Sequence, residues 1–179
     1  VGSEKPDFSE SFTVSINDEV QRDVELTITE SIDMNVVGDY LVSATVVVEG
    51  EIKASTEITV VVYDDVSPVI SLINAATLYI PYNSVYTEPG ATWTDNYDGS
   101  GVVSVITGQV DTTVLGEYSL DYDFMDSEGN VAQTVTRTVV VQDTELPVIS
   151  LTGNAVVTLE VQTAYTELGA IWSDNYDVG

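Results

Sequence analysis

The sequence predicts an all-β chain of tandem antiparallel β-sandwiches. Three observations carry that expectation: a gapless internal repeat, β-branched runs of strand length bounded by turn residues, and no segment with helical periodicity. The repeat is the strongest of the three. Residues 68–99 align on residues 147–178 at an offset of 79, and 16 of the 32 pairs are identical. Thr29, Asp33, Val36, Gly38 and Tyr40 match Thr107, Asp111, Val114, Gly116 and Tyr118 at an offset of 78, and Asp64 matches Asp143 at 79. The chain therefore reads as a repeat lacking its first strand (1–65), a complete repeat (66–144) and the first part of a third (145–179).

In the complete repeat, strands are expected near 69–73, 77–81, 85–94, 102–107, 117–125 and 131–142. Val139-Val140-Val141 and the alternation of Thr134 to Val139 have the β-branched character of strands. Asn74-Ala75, Pro89-Gly90, Asp95–Gly101, Leu115-Gly116 and Asp126–Asn130 supply the turns. Six short strands at this spacing indicate a sandwich. In the first repeat, Phe12-Thr13-Val14-Ser15-Ile16 is a candidate second strand. Pro68 and Pro147 each open a first strand after a short acidic linker, where an edge position need not donate to the ladder.

Composition narrows the function. In 179 residues, 44% are apolar, enough for packed cores. Thirty Asp and Glu face only Lys5, Arg22, Lys53 and Arg137, a net charge of −26 that repels phosphate backbones and anionic membranes, so no nucleic acid partner is expected. No apolar run is long enough for a membrane helix, so no direct membrane insertion is expected either. Without cysteine there is neither disulfide nor thiolate chemistry, and without histidine the Ser-His-Asp arrangement is excluded. Carboxylate pairs arise by chance among thirty acids and none has a distinctive setting, so the chain is read as no enzyme.

The succession Pro-Val-Ile-Ser-Leu (68–72), Tyr-Thr-Glu-Pro-Gly-Ala (86–91), Thr-Asp-Asn-Tyr-Asp-Gly (94–99), Val-Leu-Gly-Glu-Tyr (114–118), Asp-Ser-Glu-Gly-Asn (126–130) and a closing Thr-Val-Val-Val resembles the Ig-like domains repeated in bacterial surface proteins, and is similar to the hyalin-repeat type. The middle repeat matches this pattern throughout, the third as far as it goes, and the first from about Val24 onward. The resemblance implies a Greek-key Ig-like sandwich and an extracellular or cell-surface setting, with no activity of its own. Within it Tyr118 looks like the corner tyrosine, whose hydroxyl ties a loop to the sheet. The first repeat carries Val47-Val48-Glu49-Gly50-Glu51 in place of the Asp126–Asn130 turn.

Alternating strand directions place the linker, the loop after Trp93 and the Asp126–Asn130 turn at one pole. Asp64, Asp65, Asp95, Asn96, Asp98 and Asp126, with Glu128, then share a neighbourhood suited to calcium, which takes six to eight oxygens. Asp143, Glu145, Asp174, Asn175 and Asp177 form the equivalent set at the next junction. The alternative is that these are ordinary turns, since Asp, Asn and Gly are what tight turns select. Trp93 and Trp172, Tyr86 and Tyr165, and Tyr97 and Tyr176 are equivalent pairs, read for Trp93 and Tyr86 as packing rather than sugar platforms.

The preferred function is a calcium-stiffened spacer or stalk in a surface adhesin or secreted protein, with neighbouring repeats of the same or an adjacent chain as partners. Two alternatives stay open. One is a module binding a host or cell-surface glycan or protein. The other is a filament subunit, in which the incomplete third repeat of one chain donates strands to the incomplete first repeat of the next. The phasing of the repeat otherwise reads as a piece of a longer array.

Overall fold

The computed structural model describes Asp7 and residues 24–177. The candidate strand Phe12–Ile16 lies outside the described residues, as do Lys5 and Arg22. Every described element is a strand. Two compact units are present. One gathers the described residues up to Val69 together with Thr94–Ser100 and Met125–Ala132; the other gathers Ile70–Trp93, Gly101–Phe124 and the chain from Gln133 onward.

The first repeat supplies an antiparallel sheet of β1 (Val24–Glu30), β2 (Gly38–Val48) and β3 (Glu51–Val62), in the order β1-β2-β3. Glu49 and Gly50 close β2 onto β3 with positive φ at both positions, 52° and 79°. Such a two-residue turn matches the right-handed twist of paired strands. This tight hairpin is why the first repeat has no counterpart of the Asp126–Asn130 turn. Val42, Ala44 and Val62 are its buried side chains.

The middle repeat builds two sheets. One has the order β4-β6-β7, from Val69–Leu72, Ala91–Thr94 and Ser100–Val102; the other has the order β5-β10-β9-β8, from Thr77–Pro81, Val135–Gln142, Gly116–Asp123 and Val105–Thr107. Ile70 and Ala91 from the first sheet and Leu120, Tyr122, Val139 and Val141 from the second are buried. This is the Ig-like sandwich expected from the motifs. β9 runs antiparallel to both β8 and β10, whereas β5 runs parallel to β10, from Thr138 opposite Thr77 to Gln142 opposite Pro81.

Three strand expectations need correction. Residues 85–90 are not strand, and only Ala91–Thr94 pairs. Pro89 has no N–H to give, Gly90 turns the chain at φ 87°, and the Gly90 N–H is taken by the Glu88 carboxylate at 2.9 Å. The single strand expected over 102–107 is two, β7 and β8, which serve different sheets. The strand expected over 131–142 starts at Val135, leaving Val131 in an isolated bridge with Met125.

The third copy forms β11 (Val148–Leu151) and β12 (Ala170–Ser173), paired antiparallel. Residues 156–160, equivalent to β5, are not strand. In the middle repeat the partner of β5 is β10, and residues 145–179 contain no counterpart of β10.

Candidate metal centre

Asp64, Asp95 and Asp126 converge although 62 residues separate the first from the last (126 − 64), and each offers a carboxylate oxygen within 4.8 Å of those of the other two. All three belong to the same compact unit. Asp64 is 7% exposed and Asp126 6%, with Asp95 half-buried.

Each is held by the turn it occupies. Asp95 Oδ1 accepts the backbone N–H groups of Tyr97 at 2.8 Å and Asp98 at 3.0 Å, while the Asp95 N–H donates to Gly99 O at 2.7 Å. Asp126 Oδ1 accepts from the N–H groups of Glu128 at 3.0 Å and Asn130 at 2.7 Å. Asn130 Nδ2 donates to Asp126 Oδ2 at 2.9 Å and to the Asp64 carbonyl at 3.2 Å, joining turn to linker. Asp64 Oδ1 accepts from Asn96 Nδ2 at 2.9 Å and from the Val66 N–H at 3.3 Å. These are Asx turns, as composition suggests. The turns nevertheless leave two oxygens over: Asp64 Oδ2 and Asp95 Oδ2 are buried and have no hydrogen-bond donor.

Burial raises the Asp126 pKa, but the hydrogen bonds from the Asn130 side chain and from the N–H groups of Asn130, Gly129 and Glu128 outweigh it, and the group titrates below the ordinary carboxylate range. Among the described residues, the triad gathers negative charge without a cation. Of the two described cations, Lys53 pairs with Glu51 and Arg137 with Glu88.

The other expected site residues take separate places. Asn96 holds Asp64 rather than standing as a free ligand. Asp98 is turned onto Ser127, accepting from its N–H and its hydroxyl, each at 2.8 Å. Asp65 and Glu128 are exposed. At the second junction Asp174 repeats the Asp95 turn, accepting from the N–H groups of Tyr176 at 2.9 Å and Asp177 at 3.0 Å, and its Oδ2 is likewise buried without a donor. Asp143 caps the Glu145 N–H at 3.1 Å. Glu145, Asn175 and Asp177 are exposed. Residues 145–179 contain no counterpart of the Asp126 turn, and among the described residues the Asp64 group is the one cluster of three.

Trp93 packs, whereas its equivalent Trp172 is exposed. Trp93 stacks on Phe124 at 4.1 Å between ring centroids and 13° between planes, and a Cβ on Gly101 would lie 2.9 Å from three atoms of the indole. Tyr176 meets Tyr82 edge-on at 5.1 Å. The Tyr118 hydroxyl donates to Val114 O at 2.9 Å, as a corner tyrosine should, and Tyr40 does the same to Val36 O.

A second polar cluster went unnoticed in the sequence. Arg137 is fully buried, with Nε 2.8 Å from Glu88 Oε1 and Nη2 donating to Ile73 O at 2.6 Å and Gly90 O at 3.0 Å; Nη1 donates to Ala75 O. Glu88 also accepts from the hydroxyls of Tyr86 and Tyr122. Burial alone raises the Glu88 pKa, yet these two hydroxyls, the Gly90 N–H and the guanidinium charge bring it below its ordinary value, while burial and the Glu88 carboxylate push the Tyr86 hydroxyl well up. The signal was available: Val135, Arg137, Val139 and Val141 share one phase of β10, and the three valines mark that phase as inward.

Residues 70–141 match the family model described as bacterial surface protein, Ig-like domain, which upholds the motif-based likeness over that span. Among solved structures, the chain is similar to the lipoprotein BT2262 from Bacteroides thetaiotaomicron, at 24% identity and a TM-score of 0.37. The match covers 44% of this chain and 39% of that one, so the chain spans well under half the length of that lipoprotein. No curated protein matches.

Proposed function

We propose, from the match of residues 70–141 to bacterial surface Ig-like domains, that the chain is a non-catalytic surface-associated segment whose repeats act as spacers. The observation that carries this reading is the 79-residue repetition itself. In the middle copy the recurring Trp93 packs on Phe124, and the recurring Asp95 and Asp174 of the middle and third copies serve turns, each accepting from the N–H groups two and three residues ahead. Repeats joined by linkers as short as Tyr63–Ser67 add length in regular steps. Neither histidine nor cysteine is available for the commonest nucleophile and base pairs.

A ruler experiment tests the reading. Duplicating residues 66–144 in place once, twice and three times is expected to raise the maximum dimension in small-angle scattering by a constant increment per copy. A dimension that stays flat as copies are added sinks it.

A further inference from the structure

We propose that Asp64, Asp95 and Asp126 bind a hard divalent cation, calcium by its tolerance of irregular all-oxygen shells, which fastens the linker to the two loops beside it. Three separate stretches of chain each deliver one carboxylate to the same point. That alone would be an acidic cluster. What singles it out is the 7%-exposed Asp64 carboxylate, whose Oδ2 is buried without a donor, and the equally orphaned Asp95 Oδ2 beside it. A buried carboxylate oxygen with no partner is unfavourable, and adjacent like charges make it more so.

The protein holds the opposite oxygens firmly. Asp64 and Asp95 each use Oδ1 to accept two hydrogen bonds, which leaves Oδ2 buried and unused. Among the described residues no side-chain cation fills the gap, because Lys53 and Arg137 are both paired elsewhere. The donors are all oxygen, which excludes the thiolate and imidazole preferences of zinc and copper. Calcium binds oxygen at about 2.4 Å and accepts irregular shells that mix carboxylates with water, whereas magnesium at about 2.1 Å demands a tighter and more regular octahedron. Water completes the shell, since three carboxylates fall short of six to eight ligands. The site is independent of whether the repeats serve as spacers, and its test does not involve length.

The probe is calcium chloride added to chelator-stripped protein, read by titration calorimetry and by thermal melting. One saturable site and a raised melting temperature are expected, with magnesium binding at least tenfold more weakly. Asp64→Asn and Asp95→Asn each preserve side-chain shape, and each is expected to weaken calcium at least tenfold without lowering the melting temperature of the metal-free protein. Asp65→Asn, one residue along the linker, is expected to bind as the parent does. With a net charge of −26, calcium also stabilises by diffuse screening. An equal melting shift in the Asp64→Asn/Asp95→Asn double variant therefore overturns the proposal. So does unchanged melting of the parent protein from chelator to millimolar calcium, and magnesium binding as tight as calcium overturns the assignment of the ion.

Discussion

Ile70 and Ile149 stand at the same position in two copies of one sequence, yet Ile70 is 8% exposed and Ile149 is 74% exposed. Ala91 is buried and Ala170 exposed in the same way. The turns, by contrast, are reproduced almost atom for atom. Glu88 and Glu167 both accept from the N–H two residues ahead at 2.9 Å, and both take the hydroxyl of the tyrosine two residues behind. Asp95 and Asp174 make the same pair of backbone contacts. The difference separates what a short segment dictates from what its partners supply. Side chains that bond within two or three residues need nothing else, whereas burial and β5-type pairing require the second half of a repeat.

The comparison breaks hardest at Arg137, which has no counterpart in residues 145–179. Arg137→Ala strands the Glu88 carboxylate and three carbonyls, and urea unfolding should lose about 3–5 kcal/mol. Glu167→Gln, in the copy without that arginine, should leave the urea midpoint unchanged. Ile70→Ala should cost about 2–4 kcal/mol through cavity formation, while Ile149→Ala leaves stability untouched. Gly101→Ala pushes a methyl into Trp93 and should cost about 1–3 kcal/mol by overpacking, visible as a lowered thermal midpoint.

Acid sharpens the same contrast. The folded-state pKa of Glu88 lies below the ordinary 4.5, so its contribution is complete above about that pH and is lost as pH falls through the folded value. Urea midpoints measured downward from pH 5 should fall less steeply in Glu88→Gln than in the parent. Among the variants expected to destabilise, Tyr118→Phe has the smallest effect, about 1 kcal/mol, because only the bond to Val114 O is lost.

The sandwich was legible because its signals are local or periodic: β-branched runs, Asp- and Gly-rich turns and the 79-residue recurrence. The convergence of Asp64, Asp95 and Asp126 was legible for a related reason, since strands that alternate direction bring every second connection to the same pole. Legibility ended where pairing depends on distant residues. Nothing near Thr77–Pro81 announces a parallel partner at Thr138–Gln142, and nothing near Val102 or Val105 says that the chain changes sheets between them. Asn96 and Asn130 were visible as turn residues, but their bonds to Asp64 depend on the assembled pole. Arg137 went unread for a simpler reason. A lone cation among threonines looks solvent-facing unless the strand's phase is counted from its valines.

The parallel pairing of β5 with β10 has a mechanical consequence. A chain pulled from both ends draws β5 back toward its beginning and β10 forward toward its end. Two strands pointing the same way then slide lengthwise, so the rungs from Thr77–Thr138 to Pro81–Gln142 bear the load together instead of opening one by one. Once β4 has been peeled from its sheet, this short seam is what tension must shear before the middle repeat gives way.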